Sequence, residues 1–197
     1  MVLLALFLAC GSDKSPSLYR PEETKDFLSD DLLGKFEDFG LPIYYGEYTS
    51  DISGTYLFKE PNIIYNNSDT WPNANNSWCE FYFTFNNIGT SKYTLDAEGI
   101  TCNASSSGQE YYISGADSCF TLYGSSSGSF EGCAYESVRL ISSCVSGEGD
   151  LSNPIMGRTN TTVEDSSSCD SVISAGGTLN QGEMAIYSFE GDVAEKQ

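Results

Sequence analysis

The string Gly124-Ser-Ser-Ser-Gly128 has the Gly-x-Ser-x-Gly spacing of a nucleophile elbow, in which a strained turn lifts a serine toward an acyl carbon. A serine hydroxyl is a weak nucleophile until a base takes its proton, and the chain contains no histidine. The serine-rich surroundings read instead as a turn centred on Ser126. Paired carboxylates are the next candidates, because two of them flanking a glycosidic bond can run hydrolysis as acid and base. The chain carries 28 Asp and Glu, and nothing in their spacing selects a pair. A carboxylate-based hydrolase is therefore only a remote alternative. The segment GEGDLSN (Gly147–Asn153) puts Glu148 and Asp150 in one short loop, oxygen chemistry that suits a hard cation. A solvated turn explains it more simply. No phosphate-cradling glycine loop or EF-hand loop occurs. The expectation is a non-enzymatic protein with no cofactor and no metal.

Cysteine carries more information. Six follow Cys10: Cys79, Cys102, Cys119, Cys133, Cys144 and Cys169. An even set in an exported chain implies disulfides. With no Cys-x-x-Cys pair and no histidine, a zinc site is not expected. Cys119 and Cys133 lie symmetrically about Ser126, so a hairpin with an odd loop there would set them directly opposite each other. Opposed Cα atoms lie about 4.5–5.5 Å apart, within bridging range. Cys119–Cys133 is the expected disulfide, with neighbour pairing, Cys79–Cys102 and Cys144–Cys169, the simplest choice for the rest.

The opening run Val2–Ala9 is apolar and uncharged. It is shorter than the roughly 20 residues that cross a bilayer and fits the apolar core of a secretory leader. Its end, Phe7-Leu8-Ala9-Cys10-Gly11, resembles the bacterial lipobox, although no Lys or Arg precedes the run and Phe7 stands where leucine is usual. The resemblance implies removal of residues 1–9, a diacylglyceryl group on Cys10, and a lipidated tether over 10–20. The membrane is then a partner through that anchor. With Gly11 and Ser12 after the cysteine, the expected location is the cell envelope, anchored to the outer membrane on its periplasmic or surface face.

The elements that follow set the fold. Phe27, Leu28, Leu32, Phe36 and Phe39 recur at three- and four-residue steps, which predicts an amphipathic helix over 21–40. Pro21 suits its first turn, Glu22 and Glu23 suit its positive end, and Gly40 stops it. Such a stripe is expected to dock on its own domain. From 46 to 197, aromatic and β-branched residues alternate with polar ones between regular turn signals, the mark of an antiparallel β-barrel or sandwich. Strands are predicted at Gly54–Lys59, Ser91–Leu95, Gln109–Ser114, Cys119–Tyr123, Ala134–Ser142 and Met184–Glu190. The clearest is CEFYFTFN, where Cys79, Phe81, Phe83 and Phe85 share the core face. The 9 basic residues against 28 acidic ones give a net charge of −19. Such a surface repels nucleic acid and favours solubility.

The stretch GLPIYYGEYTSDISGTYLF (Gly40–Phe58), with the Phe-rich strand and the Gly/Ser-rich region after it, resembles bacterial secreted lipoproteins with a lipocalin-like barrel. In them an Ile-x-Gly-x-Tyr segment, here Ile52-Ser53-Gly54-Thr55-Tyr56, opens the barrel. The resemblance implies a lipocalin-like, calycin-type barrel that binds a small apolar or aromatic ligand. The alternative is a filled barrel serving as a structural or protein-interaction module.

Overall fold

A computed structural model describes residues 19–48, 50–59, 61–69, 80–101, 105–130, 132–165, 167–174, 179–189 and 193–196. Cys10, the leader, most of the tether, and the Cys79–Cys102 pair lie outside these residues. The fold is mainly β and antiparallel. Ten strands form one sheet: β1 (Gly54–Phe58), β2 (Pro61–Asn66), β3 (Phe81–Gly89), β4 (Lys92–Gly99), β5 (Ser105–Ala116), β6 (Cys119–Phe130), β7 (Cys133–Val145), β8 (Leu151–Val163), β9 (Met184–Phe189) and β10 (Val193–Lys196). Strands β3 to β8 run as a meander of neighbouring pairs. The short β10 bonds to both β1 and β8, which curls the sheet and closes it into a ring. Strand β8 divides its bonding: Leu151 and Ser152 pair with β10, while Ile155–Thr159 pair with β9. Beyond β9, β2 forms the outer flank.

Period-two alternation decides what faces inward. In β3, Phe83 and Phe85 are buried, while Tyr82 and Thr84, each one position before them, are half-exposed. Phe81 is partly buried against the same core. Strand β4 repeats the pattern with Tyr93, Leu95 and Ala97 inside, and β1 adds Tyr56 and Phe58. The rings meet edge to face: Phe58 lies 4.7 Å from Phe83 and 4.8 Å from Phe189 between centroids. A one-residue slip would turn these rings into water, so burial fixes the register.

The helical stripe docks on its own domain, but it is broken in two. A 3-10 turn at Glu22–Asp26 ends at Phe27, and α1 (Asp30–Asp38) starts anew. The reason is Ser29, whose side chain accepts from the Leu32 amide and caps the new helix. The restart shifts the buried set to Leu28, Leu33 and Phe36, which pack with Tyr123, Val138, Leu140, Met184 and Ile186 on the outer face of the sheet. Arg20 and Tyr19, expected in the tether, belong to the fold: Arg20 is buried and pairs with Asp30, and the Tyr19 carbonyl accepts from the Gly46 amide.

The hairpin expected at Ser126 lies further on. β6 runs straight through GSSSG to Phe130, and Phe130 pairs with Cys133 across the turn. In that register Cys119 faces Cys144, and these two are bridged. Cys133 bridges Cys169, which sits on a second helix absent from the sequence reading, α2 (Ser167–Ser174). The Cys119–Cys133 and Cys144–Cys169 pairings are therefore corrected. A loop centre displaced along the chain gives each cysteine a different opposite. Strands β2, β8 and β10 were also not expected. In β8, Pro154 and the left-handed Asn153 interrupt the alternation where the register with β7 shifts.

Candidate functional site

β6 explains the Gly/Ser-rich string. Gly124, Ser126 and Gly128 lie on its inward face, the parity of the buried Phe120 and Leu122. A Cβ on Gly124 would come within 2.5 Å of the Tyr111 ring, and one on Gly128 within 2.9 Å of the Tyr135 hydroxyl. The strip is flat because two tyrosines lie across it. Ser126 Oγ, the imagined nucleophile, shares a hydrogen bond with Ser137 Oγ at 3.0 Å.

Beside this strip stand two arginines. Arg139 of β7 and Arg158 of β8 are direct register partners. Both lie on the inward side, because their neighbours Val138, Leu140 and Gly157 face α1 and its flanking segment. Arg158 is only 8% exposed, and Arg139 is half-buried. Like charges directly opposed across a sheet destabilise it. Uncompensated burial of a charge such as that of Arg158 costs several kcal/mol.

Their partners are neutral. Arg158 Nη2 donates to Asn160 Oδ1 at 3.2 Å, and its guanidinium lies 4.9 Å from the Tyr135 ring centroid. Asn160 Nδ2 in turn donates to the Leu179 carbonyl at 2.6 Å, which ties this end of the barrel to the chain after α2. Tyr111 lies against Arg139, whose charge and hydrogen bond oppose the rise that burial imposes on the Tyr111 hydroxyl. Burial pushes the Arg158 guanidinium down from its usual value; Tyr135 opposes this and the Arg139 charge adds to it. Arginine starts so high that it stays protonated at neutral pH. The Nε–H groups of both arginines are buried without a hydrogen-bond partner.

The third arginine shows the contrast. Arg20 is as buried as Arg158 and likewise leaves one guanidinium nitrogen, Nη1, without a partner, but its charge meets the Asp30 carboxylate at 2.7 Å. Among the described residues, neither Arg139 nor Arg158 forms an ion pair. The sequence displayed these residues only as two isolated cations. The register between β7 and β8 is what joins them.

The other expected candidates fall elsewhere. Glu148 sits at the tip of the β7–β8 turn, with Asp150 at its end, where the Ser146 hydroxyl accepts from both of their backbone amides. Asp96 and Glu98 line a groove of about 430 Å³ with Thr55, Tyr82 and Thr84. These residues alternate with the buried ones, so the groove is on the outer surface. Among the described residues no cluster suits a metal ion, and no helix is long and apolar enough to cross a membrane. Set against protein-family models, curated proteins and solved structures, the chain finds no match. Fold and site define a class only: a curled antiparallel barrel with an aromatic core at one part and an arginine pair at another.

Proposed function

We propose that this chain is a non-enzymatic cell-envelope lipoprotein domain, held to the outer membrane through Cys10, whose barrel works as a structural or interaction module and not as a carrier of apolar ligands. The observation that carries this reading is the mutual packing of the inward aromatics. Tyr56, Phe58, Phe83, Phe85 and Phe189 are buried against one another, so their rings serve as the contents of the barrel and not as the lining of a cavity. Two disulfides fit an oxidising compartment. Ser126, held within a strand against Ser137 in a chain without histidine, supports the non-enzymatic reading.

Titration with a neutral apolar dye, N-phenyl-1-naphthylamine, tests the filled interior. The folded protein should give no saturable fluorescence increase. One-site saturable binding would overturn this reading in favour of an apolar-ligand carrier. Envelope attachment has its own test: Cys10→Ser should release the protein from the membrane fraction with its fold intact, and retention would sink the anchor.

A further inference from the structure

We propose that Arg139 and Arg158 form a binding site for a compact dianionic oxyanion of the phosphate or sulfate type. This goes beyond the function proposed above and does not depend on the envelope assignment. Four observations converge on it. Arg139 and Arg158 are direct register partners on the inward face, and the Arg139 charge acts on the Arg158 guanidinium, a placement that their mutual repulsion disfavours. The chain has 28 carboxylates and assigns one to the buried Arg20, yet these two cations face Tyr111, Tyr135 and Asn160, all neutral. Both Nε–H donors are buried and unmet, and a buried charged donor without an acceptor is among the costlier features a fold can retain. Glycines at 124 and 128 make the room that lets the two tyrosine rings lie beside the pair.

The chemistry selects the ligand class. A guanidinium fork matches the paired oxygens of phosphate, sulfate or carboxylate. Two such forks on partnered positions of adjacent strands bring two positive charges into a poorly solvated region. A dianion neutralises both, whereas a monoanion leaves one uncompensated. The half-buried Arg139 is the member of the pair that solvent reaches, and the buried Arg158 is the less solvated contact. The Tyr135 ring already lies over the Arg158 guanidinium and keeps its plane fixed, so less order is lost on binding. The net charge of −19 repels extended polyanions, which restricts the site to small ones.

Calorimetric titration of the full chain at fixed ionic strength tests this, with sodium sulfate, inorganic phosphate at mildly alkaline pH, and sodium acetate as separate arms. Sulfate and phosphate should bind saturably at one site, and acetate about tenfold more weakly or worse. Arg139→Gln should weaken sulfate about tenfold or more, with partial recovery in Arg139→Lys, which restores the charge without the fork. Arg158→Met adds a stability readout. In anion-free buffer its melting temperature should not fall, since an unpaired buried charge has been removed, while the rise that sulfate gives the native chain disappears. Should Arg158→Met fail to fold, the more exposed Arg139 variants carry the test. Absence of saturable binding by either dianion would overturn the proposal. So would sulfate affinity unchanged in Arg139→Gln, or acetate binding equal to sulfate.

Discussion

The aromatic part of the barrel interior and the arginine part solve opposite problems. Around β1, β3 and β4, inward aromatic and aliphatic residues alternate with more exposed ones and fill the space with one another. Where β6, β7 and β8 meet, glycine and serine replace bulk, tyrosine rings lie over the glycines, and two arginines are register partners. The first region is specified by area removed from water, which depends on pattern alone. The second is specified by register and by room left open, which depends on which strand lies beside which. One part holds the structure, and the other departs from what stability alone would choose.

The strongest test of the contrast is in β3. Phe83→Ala should cost about 3–5 kcal/mol in urea denaturation, because the cavity cannot collapse among packed rings. Thr84→Ala, which loses only the half-exposed hydrogen bond to Thr55, should cost below about 1 kcal/mol. Equal losses would mean that β3 has no inner face. Next come the disulfides. Removing either Cys119–Cys144 or Cys133–Cys169 by paired serine substitution should cost about 3–4 kcal/mol in the chain-entropy picture, given separations of 25 and 36 residues. Peptide mapping without reduction should recover those pairs, and recovery of Cys119 with Cys133 would discard the register described here.

Smaller effects probe the arginine part. Gly124→Ala forces a methyl into the Tyr111 ring and should cost about 1–3 kcal/mol, whereas Gly147→Ala, with open space around it, should stay within about 0.5 kcal/mol. If both were neutral, the Tyr111 ring would not lie where it is placed. The subtlest signal is optical. Burial favours the neutral phenol, and it pushes Tyr56 and Tyr123 up to about 12. The stabilisation is therefore full below the unfolded value of about 10 and is lost as pH rises from there through about 12. Absorbance should show phenolate appearing late and together with unfolding. Arg139→Gln should raise the Tyr111 titration further, since the nearby cation is gone. No change in that variant would separate Tyr111 from Arg139.

The same division governs what the sequence made legible. The Phe81–Phe83–Phe85 alternation was readable because period two is a local property of the strand. The docking of the Phe27–Phe39 stripe was readable too, although the Ser29 cap, which breaks it, competes with helix continuation over only three residues. GSSSG was misread because glycine and serine usually mark turns. Here they answer to Tyr111 and Tyr135 on neighbouring strands, and nothing local reveals that. The cysteine pairing fell with the same turn. Arg139 and Arg158 could not be joined from sequence, since their adjacency follows from a register shifted by bulges on either side.

The pairs from β3 to β8 are neighbours in sequence and can form as successive hairpins, whereas closure brings Tyr56 to Lys196 across almost the whole described chain. Non-local pairings carry the larger entropic cost before any contact rewards them and form slowly. The topology therefore sets an order of events: the meander assembles first, and the ring closes when β10 arrives between β1 and β8. Until then, the free edge of β1 and the Leu151–Ser152 end of β8 are open to β-strands of other molecules, so the interval before closure is when this chain is most exposed to aggregation.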